Sequence, residues 1–324
     1  MKISSYLLIL LIFLCSCNAE NNNTKVPKDP TQSATKNKKK SNKDSNGYNT
    51  LTAEEKYVIL NKGTEPAGSG KYNKFYKEGL YTCKRCDESL FRSDSKFDSR
   101  SGWPSFDSNI SDAIMTVADG SRTEIVCKNC KGHLGHVFFG EGFTKKKIRH
   151  CVNSLSLDFY PKKNIETAIF ASGCFWGTEH WLAKAKGVLS TSCGYIGGKV
   201  KDPTYKQVCT GATGHAEAVE VIFDKSVTDY ETLCKLFFET HNPSQVNRQG
   251  PDIGTQYRSV VFTTTPEQKK ITNKLIKTLR DSGTKVATKV TEAPIFYDAE
   301  AYHQDYYEKN QKQPYCHKYI KRFK

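Results

Sequence analysis

The stretch "ASGCFWGTEHW", residues 171–181, sets a single thiol, Cys174, directly after Gly173 and among Phe175, Trp176, Gly177 and Trp181. Upstream, "TAIFA" is a short apolar run of strand character, and residues 174–186 read as a helix. A strand that becomes a helix at a glycine leaves Cys174 at the helix N-terminus. There, free backbone N–H groups and the helix dipole favour a thiolate, and such positions lower a thiol pKa to roughly 3.5–7.5. The expectation is a nucleophile at neutral pH, with Phe175 and Trp176 forming an apolar cage beside it.

Working outward from this stretch, residues 165–324 alternate strand and helix: "AVEVIF" and "YRSVVFTT" read as strands, "YETLCKLFFETH" as a helix. A long final helix is punctuated by Thr265 as N-cap, Pro266 at the first position, Gln268 closing a capping box and Gly283 at the stop, with Ile271, Leu275, Ile276 and Leu279 as its apolar face. Cys234, among Leu233, Leu236 and Phe237, is most simply core. Residues 51–160 have another texture, rich in turns and paired cysteines, with short stretches such as "TEIVC", "HVFF" and "SLSLDF" that read as strands. A chain of 324 residues is long enough for two domains. The short connection "YPKKNIE" holds them close together.

The front of the chain reads as an export signal. Lys2 precedes an apolar run from Tyr6 to Leu14, too short to span a bilayer stably. Leu14-Cys15-Ser16-Cys17 resembles a bacterial lipobox, so residues 1–17 are expected to be a lipoprotein signal and Cys17 the lipidated residue. The alternative is an ordinary cleaved signal or a single membrane helix. Residues 18–50 hold almost nothing apolar and are expected to be a disordered tether. Residues 1–50 carry eight lysines against three acids, which places +5 of the net +15 outside the folded part. The remaining charge forms no basic stripe interleaved with aromatics, which excludes nucleic acid as the expected partner. The localisation implied is export with a lipid anchor in a bacterial membrane, on the periplasmic or cell-surface face.

Twelve cysteines in an exported chain would ordinarily suggest disulfides. Cys83-Lys84-Arg85-Cys86 and Cys127-Lys128-Asn129-Cys130 argue otherwise: two CxxC pairs about forty residues apart close a tetrahedral four-sulfur zinc site. A redox CxxC is the rival, and a thiol-disulfide exchanger the function it would imply. His133 and His136, in "GHLGHVF", could in principle replace a cysteine pair. Downstream, Cys151 in "IRHCVNS" follows Arg149 and His150, neighbours that favour a thiolate. A buried structural cysteine is the plain alternative.

The CxxC doublet with "SGWPSF" (101–106) between its pairs, then "HLGH" and "RHCVNS", resembles a B-type methionine sulfoxide reductase over residues 51–160. The resemblance implies a mostly-β, zinc-containing domain in which Cys151 is the nucleophile, Trp103 a wall for the substrate methyl, and His133, His136 and Asn153 the organisers of the sulfoxide oxygen. It also implies structural zinc on Cys83, Cys86, Cys127 and Cys130, and no organic cofactor. Where the family often carries Gly-Cys-Gly-Trp, with the cysteine as resolving thiol, this chain reads Arg100-Ser101-Gly102-Trp103.

"GCFWG", "DPTYKQVCTGATGHAEAVEV", "NRQGPDIGTQYRS" and "YHQDYYEKNQKQPYC" are in turn similar to an A-type methionine sulfoxide reductase, an α+β domain of ferredoxin-like α/β plait over 165–324. The resemblance implies Cys174 as nucleophile and Phe175 and Trp176 as the cage for the S-methyl group. Glu217, protonated at rest through burial, would polarise the sulfoxide oxygen. Tyr205 and Tyr257 would be hydroxyl donors, Asp252 would lie near the entering substrate or water, and Cys316 would resolve the sulfenic acid. The family usually has a glycine before Tyr-Cys; Gln313-Pro314 here makes a stiffer tail. Such a fused enzyme would act on oxidised proteins or peptides, the A-type half on the S epimer and the B-type half on the R epimer, and would draw electrons from a thioredoxin-like reductant. A surface-anchored binding lipoprotein is the rival from another class.

Overall fold

A computed structural model describes residues 43–110 and 112–324. The signal, Cys17 and most of the tether lie outside them. From Lys43 onward the tether is ordered, contrary to expectation. Lys43 bridges Asn49, the Asn49 amide N–H donates to the Arg85 carbonyl at 2.8 Å, and the Arg85 guanidinium sits 4.5 Å from the centre of the Tyr48 ring. The Asn49 side chain adds bonds to the Lys84 carbonyl and Asp87, and Lys43 pairs with Asp87, which together seat this segment on the first cysteine knuckle.

The first half begins with helix α1 (Ala53–Ile59), whose Thr52/Glu55 capping box is complete. Strands β1 (Gly79–Cys83), β2 (Ser89–Arg92), β3 (Lys96–Phe97), β4 (Ser105–Phe106), β5 (Ile114–Asp119), β6 (Arg122–Cys127), β7 (His133–Phe139), β8 (Ile148–Val152) and β9 (Leu157–Pro161) follow. They form two antiparallel sheets, ordered β2-β1-β9 and β3-β4-β8-β7-β6-β5. Tyr81, Phe91, Phe106, Ile125 and Leu134 fill the space between them. "SLSLDF" is strand only in its second half; Ser154–Ser156 is a 3-10 turn.

The second half runs β10 (Ile165–Ser172), α2 (Phe175–Ala183), β11 (Val188–Ile196), α3 (Tyr205–Cys209), β12 (Ala216–Asp224), α4 (Tyr230–Thr240), β13 (Arg248–Gln249), β14 (Asp252–Ile253), β15 (Ser259–Thr263), α5 (Pro266–Asp281), β16 (Lys289–Glu292), β17 (Phe296–Asp298) and α6 (Tyr306–Lys309). Its main sheet is ordered β16-β15-β10-β12-β11-β17. The inner four strands, β15-β10-β12-β11, are the fourth, first, third and second of a βαββαβ unit, which is the expected plait. In α5 the Thr265 side chain accepts from the Gln268 N–H, while the Gln268 side chain reaches Thr264 rather than the cap itself. Cys234 is fully buried in the core, as its neighbours predicted.

The halves share packing. Ile222 of β12 belongs to the first half's core and Leu189 of β11 packs against it. The Ser89 hydroxyl donates to the Leu189 carbonyl at 2.7 Å. Arg92 pairs with Glu220, and Asp112 takes both Lys128 beside the zinc knuckle and Lys309 of α6. Among the described residues no helix is long and apolar enough to cross a membrane.

Candidate active sites and metal centre

The four knuckle cysteines converge. Cys83 lies 3.6 Å from Cys130 and Cys86 3.5 Å from Cys127, Sγ to Sγ, and all four sulfurs fall within 4.8 Å of one another. A tetrahedral zinc with Zn–S of about 2.3 Å needs sulfurs about 3.8 Å apart, so the donor set fits the ion. The contacts cross between the two CxxC pairs, which a metal centre needs and two separate redox pairs do not. His133 and His136 take no part: the His133 Nδ1 lies 2.7 Å from the Glu124 carboxylate and the His136 Nε2 lies 2.8 Å from Asp119.

Cys151 sits on β8, in register with Ser105 of β4 and His136 of β7. Its sulfur faces the Ser101 hydroxyl at 3.9 Å. Ser101 continues a hydroxyl chain to Ser99 at 2.8 Å and on to Ser105 at 2.7 Å. Burial raises the thiol, and outweighs Arg149 and Ser101, which pull it down. The expected resting thiolate is therefore corrected. Arg149 divides its charge, because its guanidinium is bound bidentately by Glu141 at 2.5 and 3.0 Å. Trp103 is positioned from behind, its indole N–H donating to the Glu65 carbonyl at 3.0 Å. The Asn153 amide oxygen accepts from the Glu65 N–H at 3.1 Å and its amide N–H donates to the Leu134 carbonyl at 3.2 Å. Buried Glu65 in turn accepts from the Ser154 and Leu155 N–H groups at 2.5 and 3.1 Å. Glu65 thus holds the wall and Asn153 together. It carried no sequence signal, since it lies in the turn-rich loop "GTEPAGSG".

Cys174 is the N-cap of α2 and makes no side-chain capping bond. The first N–H of that helix, at Phe175, donates instead to the Glu217 carboxyl at 3.1 Å. Glu217 arrives from β12, two strands in from the sheet edge, and is 1% exposed. Burial, reinforced by the Cys174 sulfur, pushes it well above the ordinary carboxylate range, so it is protonated at rest as expected. Cys174 departs from expectation. Its hydrogen bond with Cys316 and then its burial raise the thiol well above its usual value, and the N–H of Trp176 pulls it down only in part. The helix dipole loses because its leading N–H is already engaged by Glu217 and the site is buried.

The aromatic collar is assembled from both ends of the domain. Tyr306 of α6 stacks on Trp176 at 3.6 Å between centroids, and the Trp176 indole N–H donates to His303 Nδ1 at 3.1 Å. Phe175 and Tyr205 flank the same His303 at 4.9 and 4.5 Å. Burial holds the Tyr205 and Tyr257 hydroxyls above their usual value, so both stay protonated. Cys209, exposed and unassigned by the sequence, is hydrogen-bonded to Tyr205. Asp252 accepts from the Tyr315 hydroxyl at 3.0 Å with both oxygens, so it anchors the residue before Cys316. The structure therefore brings Cys174, Glu217, Tyr205, Tyr257, Asp252 and Cys316 together at one site, and Cys151, Ser101 and Trp103 at another.

Comparison with known proteins agrees with this partition. The family model for peptide methionine sulfoxide reductase matches residues 166–324, and that for the SelR domain matches residues 51–161. A peptide methionine sulfoxide reductase MsrA of Sulfolobus acidocaldarius is 49% identical over 153 residues, which is 47% of this chain and 87% of that protein. One from Nautilia profundicola is 48% identical over 149 residues, 46% of this chain and 86% of that protein. The reduced Mxr1 of Saccharomyces cerevisiae superposes with a TM-score of 0.46 at 36% identity, over 51% of this chain and 96% of Mxr1.

Proposed function

We propose a division of labour between two sites from one premise: this chain belongs to the peptide methionine sulfoxide reductases, with a SelR domain fused ahead of the reductase domain. It is a bifunctional methionine sulfoxide reductase, the SelR half serving the R epimer and the second half the S epimer, with thiols recycling the enzyme. One enzyme type for each sulfur epimer is the general rule for this lesion.

At the second site, the substrate S-methyl group rests between Phe175 and Trp176. Glu217 protonates the sulfoxide oxygen while Tyr205 and Tyr257 donate hydrogen bonds to it. The Cys174 sulfur attacks the substrate sulfur, its thiol proton passes to the Glu217 carboxylate, and the oxygen ends on Cys174 as a sulfenic acid as methionine leaves. Cys316 condenses with it, releasing water, and a thioredoxin-like dithiol opens the disulfide. In the SelR half, Cys151 performs the attack with Trp103 as the wall and His133, His136 and Asn153 around the oxygen; an external thiol then reduces its sulfenic acid directly. Zinc on Cys83, Cys86, Cys127 and Cys130 supplies folding energy to that half.

The observation that carries this reading is the buried Glu217 carboxyl, held well above the ordinary carboxylate range, on the Phe175 N–H next to Cys174 under an aromatic collar. Cys174→Ser should abolish S-epimer turnover and spare the R epimer, and Cys151→Ser the reverse, in an epimer-resolved assay with dithiothreitol. Loss of both activities in either folded variant overturns it. The lipobox at Cys17 supports a lipid anchor and export, so mass spectrometry of the mature amino terminus should find acylated Cys17; an unmodified start elsewhere removes the anchor.

A further inference from the structure

The stretch around Cys174 contains a second glycine, Gly177, in the first turn of α2, where glycine costs helix stability. The reason lies across the fold. A Cβ at Gly177 would stand 2.1 Å from Nδ1 of His317, so the glycine opens room for that imidazole. His317 directly follows Cys316 and is 4% exposed. Its Nε2 lies 2.9 Å from the Ser172 carbonyl oxygen, which can only accept, so Nε2 carries the hydrogen. The Ser172 and Thr178 hydroxyls sit around the same nitrogen at 3.3 and 3.4 Å. In a neutral ring the other nitrogen is then a bare lone pair, and Nδ1 lies 3.1 Å from the Cys316 sulfur. Burial pushes His317 down to about 4, which keeps the ring neutral.

The chain on both sides is tied down. Tyr315 holds Asp252, and beyond His317 the Ile320 N–H donates to the Glu239 carbonyl at 2.7 Å while Arg322 and Phe323 N–H groups donate to the Glu239 carboxylate at 3.0 and 3.1 Å. Gln313-Pro314 therefore leads into a clamped Cys316-His317 pair rather than a free arm.

We propose that His317 is a catalytic base of the resolving step, taking the thiol proton of Cys316 at Nδ1 as Cys316 attacks the sulfenic acid on Cys174. This rests on the reading of Cys316 as the resolving thiol. The S–S bond forms, the S–O bond of Cys174 breaks, and the imidazolium returns its proton to the departing hydroxide as water. The Cys316 sulfur is oxidised and the Cys174 sulfur reduced, with no further reagent. A cation at such a buried ring is short-lived, which favours the return of the proton to the leaving oxygen.

The test is a single turnover of the full chain with an S-epimer peptide and no reductant, following methionine release, trapping of Cys174 sulfenic acid by dimedone, and Cys174–Cys316 disulfide formation. His317→Gln keeps a donor for the Ser172 carbonyl and loses the base. Methionine release should stay near the wild-type rate, while disulfide formation slows by about 10²-fold or more and sulfenic acid accumulates. Disulfide formation at the wild-type rate overturns the proposal, as does an equal loss of methionine release, which marks a structural role. Cys316→Ser separates the premise: if its sulfenic acid fails to persist, Cys316 is not the resolving thiol. In the unaltered protein, long-range ¹H–¹⁵N spectra should give His317 as the Nε2–H tautomer, and an Nδ1–H tautomer overturns the assignment whatever the variant's folding.

Discussion

Cys174 and Cys151, the two thiols proposed as nucleophiles, sit beside different partners. Cys174 faces a second thiol, Cys316, carried in by a tail pinned at Asp252 and Glu239. Cys151 faces the Ser101 hydroxyl, which continues to the Ser99 and Ser105 hydroxyls and to the Trp103 backbone, with no second thiol along the way. A hydroxyl can donate a hydrogen bond to a sulfenate but cannot exchange with it. Under the proposed mechanism one half carries its own resolving thiol and the other depends on thiols from outside, so the two activities should respond differently to the choice of reductant. Both thiols are held above their usual value, Cys174 by its hydrogen bond with Cys316 and then its burial, Cys151 chiefly by its burial.

The largest expected effect breaks the zinc centre. Cys83→Ser or Cys127→Ser should release the metal and unfold the SelR half, since metal binding at such a site is folding free energy. R-epimer turnover disappears, and S-epimer turnover falls too, because Ile222 of β12 is buried in the SelR core. Elemental analysis and circular dichroism check this, and a folded variant without zinc contradicts it. Next, Glu217→Gln should lower S-epimer turnover by about 10²–10⁴-fold and leave the R epimer alone. The sign of the pH dependence follows from the same group. Glu217 is held above the ordinary carboxylate range, so S-epimer methionine release is lost as pH rises through that raised value, and Glu217→Gln should remove that alkaline limb. The smallest effect sharpens the contrast directly. Ser101→Cys should form a disulfide with Cys151 on oxidation, visible by peptide mapping, and raise thioredoxin-driven R-epimer turnover several-fold. If R-epimer turnover instead collapses in Cys316→Ser, the halves share one resolving thiol.

Much of this was legible in residue order. Strand and helix alternation around Cys174, the Thr265 N-cap of α5 and each CxxC pair depend on neighbours within a few positions and are found where the spacing put them, while the Gln268 side chain turns to Thr264 instead of closing the box. Glu217 was expected to be buried and protonated, and it is. Ordering at Tyr48 and the Glu65 brace were not legible, because each contact joins segments far apart in the chain with no shared periodicity, and the Glu124 partner of His133 depends on the register of β6 against β7. Local neighbours also misjudged both thiols. Arg149 beside Cys151 is neutralised by Glu141 from eight residues away, and the helix N-terminus at Cys174 is engaged by Glu217 from another strand.

By itself, then, the sequence determined which groups are present: two candidate nucleophilic thiols, a four-cysteine metal set, the aromatic pair beside Cys174 and a serine at 101 where the resembled family often carries a cysteine. These are matters of residue type and short spacing. The tertiary structure decided the partners of those groups and the direction in which Cys174, Cys151 and Glu217 are moved from their ordinary pKa values. Solvent exclusion and hydrogen bonding between distant segments set which form a titratable group takes, and neither can be read until the chain has closed on itself.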